Sequence, residues 1–264
     1  MQPKEMILSL GLILRELGRE VLALRAGGLR VSGKGGSMKD IVTQADTHVE
    51  ERLERFLKER FPGTGIRGEE GARREMSGSE YEWVIDPIDG TLRFAQGSPA
   101  FGISVGLVFE GRPTAGIIHY PGFRQTLLSY PGGGEIARIG RGLDRSAKPI
   151  DSCVVQTGLS ARPDRRADEV TGMYLRLVES AQYCFVDACF VAGFRDLVQG
   201  RLDAVVTASA TPYDLAAALA IATELGIPYS TFLGGVPDLG LDSNSLVMAR
   251  SAEVQRLLVD VVRG

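Results

Sequence analysis

The first clear periodicity covers residues 5–26. Ile7, Leu8, Leu10, Leu14, Leu17, Val21, Leu22 and Leu24 recur at helical spacing, and Gly27-Gly28 ends the pattern. Residues 32–37, Ser-Gly-Lys-Gly-Gly-Ser, read as a flexible loop; their glycine spacing excludes a Walker phosphate loop. A second helix is expected from about Thr47 to Arg60, with Val49, Leu53, Phe56 and Leu57 on one face, stopped by Phe61-Pro62-Gly63. Residues 66–70 form a short extended piece ending in Glu69 and Glu70. Residues 81–85, Tyr-Glu-Trp-Val-Ile, read as a strand. Pro87 pushes its predecessor into extended geometry, so Asp86 should be the last strand residue and Asp89 a helix N-cap. Strands at 101–109 and 114–120 flank a turn at 110–113.

Residues 131–149 are rich in Gly, Pro and charge, which puts a boundary between a domain of residues 1–148 and one of residues 149–264. Beyond it the pattern changes. Short strands at 154–157, 183–186 and 204–206 alternate with helices at about 166–180, 189–199 and 213–225. A strand at 245–249 and a helix at 252–262 follow. This alternation predicts an α/β layer with crossover helices. The second domain would then supply Asp214.

Composition narrows the function only by exclusion. With 264 residues, 44% hydrophobic and 24% charged, the chain suits a globular protein with a sizeable core. A net charge of −3 gives no electrostatic reason for a nucleic-acid partner. The one basic cluster, Arg162-Pro163-Asp164-Arg165-Arg166, is short, interrupted by an acid and reads as solvated surface. Cys153, Cys184 and Cys189 are odd in number and lack metal spacing; Cys184 and Cys189 stand in apolar surroundings as buried thiols, which favours a reducing compartment. There is no signal-peptide pattern at the start and no uncharged run of about 18–20 residues, so a cytoplasmic protein without a membrane span is expected.

The chemistry concentrates in Asp86-Pro87-Ile88-Asp89-Gly90-Thr91. Two carboxylates three residues apart at a strand end project into one small volume. The N–H groups of Gly90 and Thr91 beside them suit an anion. Carboxylates this close repel unless a cation lies between them, and oxygen donors without Cys or His favour Mg²⁺ or Mn²⁺. Such a metal beside an anion-binding turn suggests phosphoryl chemistry; a capped turn with two solvated acids is the alternative. Asp46 and Asp214 each sit at the start of a predicted helix, where the helix dipole alone would favour an acid. His48 and His119 read as solvated or hydrogen-bonded rather than catalytic, and Lys34 as a surface lysine.

Four motifs together resemble the inositol monophosphatase family, within the Mg²⁺-dependent, lithium-sensitive sugar and nucleotide phosphatases. They are Asp40-x-Val42-Thr43-x-x-Asp46, Gly68-Glu69-Glu70, Asp86-Pro87-x-Asp89-Gly90-Thr91 and Tyr213-Asp214-x-Ala216-Ala217, in the family's order and spacing. The resemblance covers most of the chain. It implies a layered αβαβα sandwich of the inositol monophosphatase and fructose-1,6-bisphosphatase type (α/β, or α+β in some schemes). By motif position it implies Glu69, Asp86, Asp89, Asp214 and the Ile88 carbonyl as ligands of two or three Mg²⁺ ions, with Mn²⁺ as a substitute. Asp46 would act through water on a further metal. Thr91 with Glu69 would activate the attacking water, and the Gly90 and Thr91 amides would hold phosphate. Asp89, Asp214 and Phe190 complete the implied substrate contacts, and a homodimer is implied.

The substrate side departs from the inositol-preferring pattern. Ala188-Cys189-Phe190 stand where those members carry Gly-Thr-Ala, and Thr207 stands where they carry a substrate-binding Glu. The substrate class therefore stays open among a phosphorylated polyol, a sugar phosphate such as fructose 1,6-bisphosphate, a 3′(2′),5′-bisphosphate nucleotide, NADP and histidinol phosphate. Arg93 stands in place of the usual Asn and is a candidate phosphate or surface contact. A haloacid-dehalogenase-type phosphatase would need D-x-D-G-T, one residue shorter between its acids. Some members of the resembled family act as partners of the transcription machinery, although nothing basic or aromatic here points to RNA binding.

Overall fold

The computed structural model describes the chain apart from residues 35–36, 75–78, 134–144, 159–166 and 188. The basic cluster at 162–166 and Ala188 therefore lie outside the described residues, as do the side chains of residues 34–40, Lys34 and Asp40 among them. The chain divides into two compact units: Met1–Ala137 with Tyr213–Glu224, and Arg138–Pro212 with Leu225–Gly264. Asp214 thus groups with the first unit, where a single cut near residue 148 would have put it in the second.

The first unit holds α1 (Pro3–Leu8), α2 (Leu10–Ala26), β1 (Val31–Lys34), β2 (Ser37–Thr43), α3 (Gln44–Arg60), β3 (Gly65–Gly68), β4 (Arg73–Arg74), β5 (Tyr81–Asp89), α4 (Thr91–Ala95), β6 (Gly102–Phe109), β7 (Arg112–Tyr120) and β8 (Gln125–Ser129). The single helix expected over 5–26 is broken at Ser9, which stays in helical geometry. Of the stretch 32–37 expected as a loop, residues 32–34 and 37 belong to an antiparallel pair, β1 with β2, in which Val31 faces Thr43 and Gly33 faces Ile41. The β6–β7 turn narrows to Glu110-Gly111, both at positive φ (48° and 76°), as a tight hairpin requires.

Six strands form one sheet in the order β4-β3-β5-β6-β7-β8. Its two faces follow from register, because directly paired residues share a face. Trp83, Ile85, Ile103, Val105 and Ile117 pack with the apolar stripes of α1, α2 and α3 into one core. Phe61, at the end of α3, sets its ring 5.3 Å from that of Trp83. The alternate residues face the other way, onto α7 (Pro212–Leu225). A Cβ on Gly106 would lie 2.5 Å from the Ala216 Cβ, and one on Gly116 2.4 Å from the Ala217 carbonyl oxygen. Glycine on the sheet and alanine on the helix thus let α7 lie flat on the strands.

The second unit holds β9 (Val154–Gly158), α5 (Ala167–Ser180), β10 (Tyr183–Val186), α6 (Phe190–Val198), β11 (Ala204–Ala210), β12 (Tyr229–Ser230), β13 (Asn244–Ala249) and α8 (Ala252–Arg263). Its sheet runs β10-β9-β11-β13-β12, parallel across β10, β9 and β11 and antiparallel at β13. One face buries Val155, Ala204, Val206 and Val247 under α5 and α8. The architecture is mixed α and β: two large sheets with flanking helices, and the two-stranded β1–β2 pair, among the described residues. Cys153 and Cys189 are buried and Cys184 is partly buried, all three as free thiols. Among the described residues no helix is long and apolar enough to cross a membrane.

Candidate metal centre

The end of β5 differs from its expected form in a way that builds the site. The strand continues past Pro87 to Asp89, pairing Asp86 with Ser104 and Asp89 with Gly102. The ladder is irregular between those two pairs, so Pro87, which has no N–H to donate, sits where no regular pair is required. Gly90 then takes φ +87°, a left-handed geometry that costs glycine little, and it caps the five-residue helix α4 in place of Asp89. Both carboxylates are left on a buried strand end.

Asp214 comes from α7, the helix packed on that same face of the sheet. It lies in the first turn of α7, whose residues from Leu215 to Ala222 are all buried. The glycine–alanine contacts bring this helix onto the face that also carries Asp86, since Asp86 pairs with Ser104, two residues from Gly106. One carboxylate oxygen each from Asp86, Asp89 and Asp214 lies within 4.8 Å of the others.

The electrostatics of this cluster favour a cation. Asp86 is 2% exposed, and its Oδ1 is buried without a hydrogen-bond partner. Burial pushes its carboxyl well above the ordinary value, and the charges of Glu69, Asp89, Asp214 and Asp46 push it further. An orphaned carboxylate oxygen among like charges fits a hard divalent ion, and an all-oxygen donor set fits Mg²⁺ better than a soft metal.

Asp46 is held beside the cluster by the start of α3. Thr43 caps that helix, accepting from the Ala45 amide at 3.1 Å, while Asp46 Oδ2 accepts from the Thr43 amide (2.8 Å) and the Thr43 hydroxyl (2.6 Å). The helix therefore begins at Gln44, three residues earlier than expected. The Thr91 hydroxyl lies 3.2 Å from Asp46 Oδ1 and 3.0 Å from the Ile88 carbonyl oxygen. Asp46 is 1% exposed; burial raises its pKa, and the bonds from Thr43 and Thr91 oppose the rise. Glu69 follows β3, with its amide bonded to Ile85 O of β5 at 3.1 Å.

One residue of this site was not singled out from the sequence. Glu50, on α3 one turn beyond Asp46, is 5% exposed. Its carboxylate accepts from the Glu70 amide at 2.9 Å and the Ala72 amide at 2.7 Å, and so fastens the turn that presents Glu69. Burial raises its pKa against those two bonds, and the Glu69 charge adds to the rise. The available signal was an acid on the buried face of an amphipathic helix, next to Val49 and Leu53.

Phe190 opens α6 in the second unit, nearly buried, its ring 6.5 Å from and nearly parallel to that of Phe194. Thr207 lies in β11, where its hydroxyl accepts from the Ser209 amide at 3.3 Å. His48 bonds Glu20 at 2.7 Å. His119 is buried, with Nδ1 2.9 Å from the Thr126 hydroxyl. Arg93 lies in α4, half-buried.

The model of the inositol monophosphatase family matches residues 8–263. The chain is 30% identical over 226 residues to a fructose-1,6-bisphosphatase/inositol-1-monophosphatase of Thermotoga maritima, covering 84% of this chain and 83% of that protein. It is 31% identical over 207 residues to the Nus factor SuhB of Pseudomonas aeruginosa, covering 74% of each. A solved Thermotoga maritima IMPase superposes with a TM-score of 0.82 at 26% identity, covering 98% of this chain and 97% of that one.

Proposed function

The chain belongs to the inositol monophosphatase family, and from that premise we propose that it hydrolyses the phosphate monoester of a small polyol, sugar or nucleotide at the Asp86–Asp89–Asp214 cluster. Phosphoric monoester hydrolysis is the activity of the family and of the inositol-1-monophosphatases it resembles. The observation that carries the assignment to this cluster is the convergence of three carboxylates, one bearing a buried unpaired oxygen, at the end of β5.

In this reading Asp86, Asp89, Asp214 and Glu69 hold Mg²⁺, with the Ile88 carbonyl, which keeps a second lone pair beside its Thr91 contact. Asp46 serves a further ion through water. Bound Mg²⁺ supplies charge neutralisation and a lowered pKa for coordinated water. The protein's own groups do the rest. Thr91, fixed between Asp46 and Ile88, orients the attacking water. Glu69 accepts its proton, held in place by the turn that Glu50 fastens. The Gly90 and Thr91 amides meet the phosphate oxygens. Assembly as a homodimer belongs to the same reading and is tested by sedimentation.

Phosphate release from a panel of inositol phosphates, sugar phosphates, 3′-phosphoadenosine 5′-phosphate, histidinol phosphate and NADP tests it, run with Mg²⁺, with chelator and with lithium. Mg²⁺-dependent, lithium-sensitive release that disappears in Asp89→Asn and Asp214→Asn is expected. Near-full activity in either variant would overturn the site. The similarity to Nus factor SuhB supports a second reading, a non-catalytic partner of the transcription machinery. Partner capture that survives Asp89→Asn separates it from catalysis.

A further inference from the structure

We propose that the cavity between α2 and the β7–β8 side of the six-stranded sheet is a second binding site, for a phosphorylated small molecule of about nucleotide size. The cavity measures about 700 Å³, within the range of small-ligand sites and far larger than one phosphate ion. It lies on the sheet face away from Asp86. His119 pairs with Ile103 and with Thr126, whereas Asp86 pairs with Ser104, and Ser104 with Ile118. Alternation therefore puts His119 and Asp86 on opposite faces.

Three arginines carry the charge argument. Arg15 and Arg19 of α2 and Arg124 of the β7–β8 turn line the cavity, and no carboxylate does. None of the three side chains makes an ion pair or hydrogen bond among the described residues. The acids of α2 are engaged elsewhere: Glu16 with Arg52 at 2.8 Å, and Glu20 with Arg52 at 3.0 Å and His48 at 2.7 Å. Along this stretch the helix sorts its charges, Glu16 and Glu20 toward α3 and Arg15 and Arg19 toward the cavity, while Arg25 farther along bonds the Ser98 carbonyl. His119 on the floor is pulled down to about 4 by burial and by the Arg15 charge, so it stays neutral and adds nothing to the count. Three forked guanidinium donors around one space match a phosphate group.

The shape points beyond a bare anion. Gly11, Arg15, Gly18 and Leu22 follow one another along the cavity side of α2. At Gly18 a Cβ would lie 2.6 Å from His119 Nε2, so only glycine lets the helix approach there. Leu22, Ile117 and Leu128 give the space an apolar wall suited to a planar or aliphatic body. Arg124 is held at the mouth in a left-handed turn, φ 52°.

The test is calorimetric binding to the Asp89→Asn protein, whose catalytic site is disabled, with and without the added pair Arg15→Ala and Arg124→Ala. The probes are inorganic phosphate, glucose 6-phosphate, a nucleoside monophosphate and the parent nucleoside. The nucleotide should bind most tightly and lose at least about tenfold in affinity with the arginine pair removed. The two arginines are exposed, so the fold should be retained, checked by circular dichroism, and kcat of the otherwise native enzyme without nucleotide should not change. Three results would each overturn the proposal: equal nucleotide affinity with and without the arginines, equal binding of nucleoside and nucleotide, or no probe binding below millimolar concentration. Binding of an acidic peptide in place of every small probe would reassign the surface to a protein partner.

Discussion

Replacing Glu50 with Gln probes how far the proposed catalytic arrangement depends on a residue outside the Asp86–Asp89–Asp214 cluster. The carboxylate accepts two amides of the turn, from Glu70 at 2.9 Å and Ala72 at 2.7 Å. Hydrogen bonds to a charged group contribute roughly 1.5–3 kcal/mol each. Glutamine can accept only one of them; its NH₂ would point a donor at the other amide. The loss is offset in part because a neutral side chain is cheaper to bury at 5% exposure. A net destabilisation of about 1–2 kcal/mol is expected in urea titration without metal. The loosened turn carries Glu69, so kcat should fall about tenfold, equivalent to about 1.4 kcal/mol. The Mg²⁺ concentration for half-maximal rate should rise, with little change in KM for substrate. Gly68→Ala attacks the same contact from the other side, since its Cβ would overlap the Glu50 carboxylate, 2.3 Å from Oε2, and push it aside. The two changes should be non-additive when combined, as expected for one shared contact. Unaltered kcat and Mg²⁺ dependence alongside the expected loss of stability would refute a positioning role. Simple additivity would refute the shared contact.

Asp86→Asn should stabilise the metal-free protein, because it removes a buried charge set among Glu69, Asp89, Asp214 and Asp46; a melting temperature below that of the unaltered metal-free protein would contradict this. The same variant should gain nothing from added Mg²⁺, which stabilises only what it binds. His119 is held near 4 in the fold against 6.5 unfolded, so between those values the unfolded chain binds more protons. Stability should therefore fall as pH drops through that window, by about 3 kcal/mol at 1.36 kcal/mol per pKa unit. His119→Gln should flatten that part of the pH profile, and an unchanged slope would remove His119 as its source. Gly116→Ala should push α7 off the sheet, given a Cβ position 2.4 Å from Ala217 O, and should weaken Mg²⁺ binding as Asp214 moves; unchanged Mg²⁺ affinity would show that the helix position is not set there.

The three carboxylates that converge at the end of β5 were legible as candidates because their chemistry is written locally. Asp86 and Asp89 are separated by a proline and followed by the glycine that turns the chain, and Asp214 stands at a helix start. Local rules failed where a distant partner decided the outcome. Pro87 was expected to end β5, but β6 supplies a partner on either side of it, at Ser104 and Gly102, and the strand continues. The glycine-containing stretch at 32–37 reads as a loop until β2 offers Thr43 and Ile41 as partners for Val31 and Gly33. Strand β8 went unread for the same reason: Gln125–Ser129 has only five residues, and its buried members face β7.

Glycine is where reading along the chain loses most. In a strand it signals weakness, because it adds no side chain to pack. At Gly106 and Gly116 that same lack lets Ala216 and Ala217 touch the backbone of β6 and β7, which is how an acid more than a hundred residues from Asp86 comes to lie beside it. The alanine run of α7 looks featureless by itself, since it is buried around its whole circumference and has no amphipathic stripe. Its meaning lies in the pairing of small residues across two elements. Gly18 against His119 repeats the logic on the opposite sheet face, where a missing side chain again sets how closely a helix may approach. In both places the position of a helix over the sheet, and with it the placing of charged groups, rests on an atom that is not there.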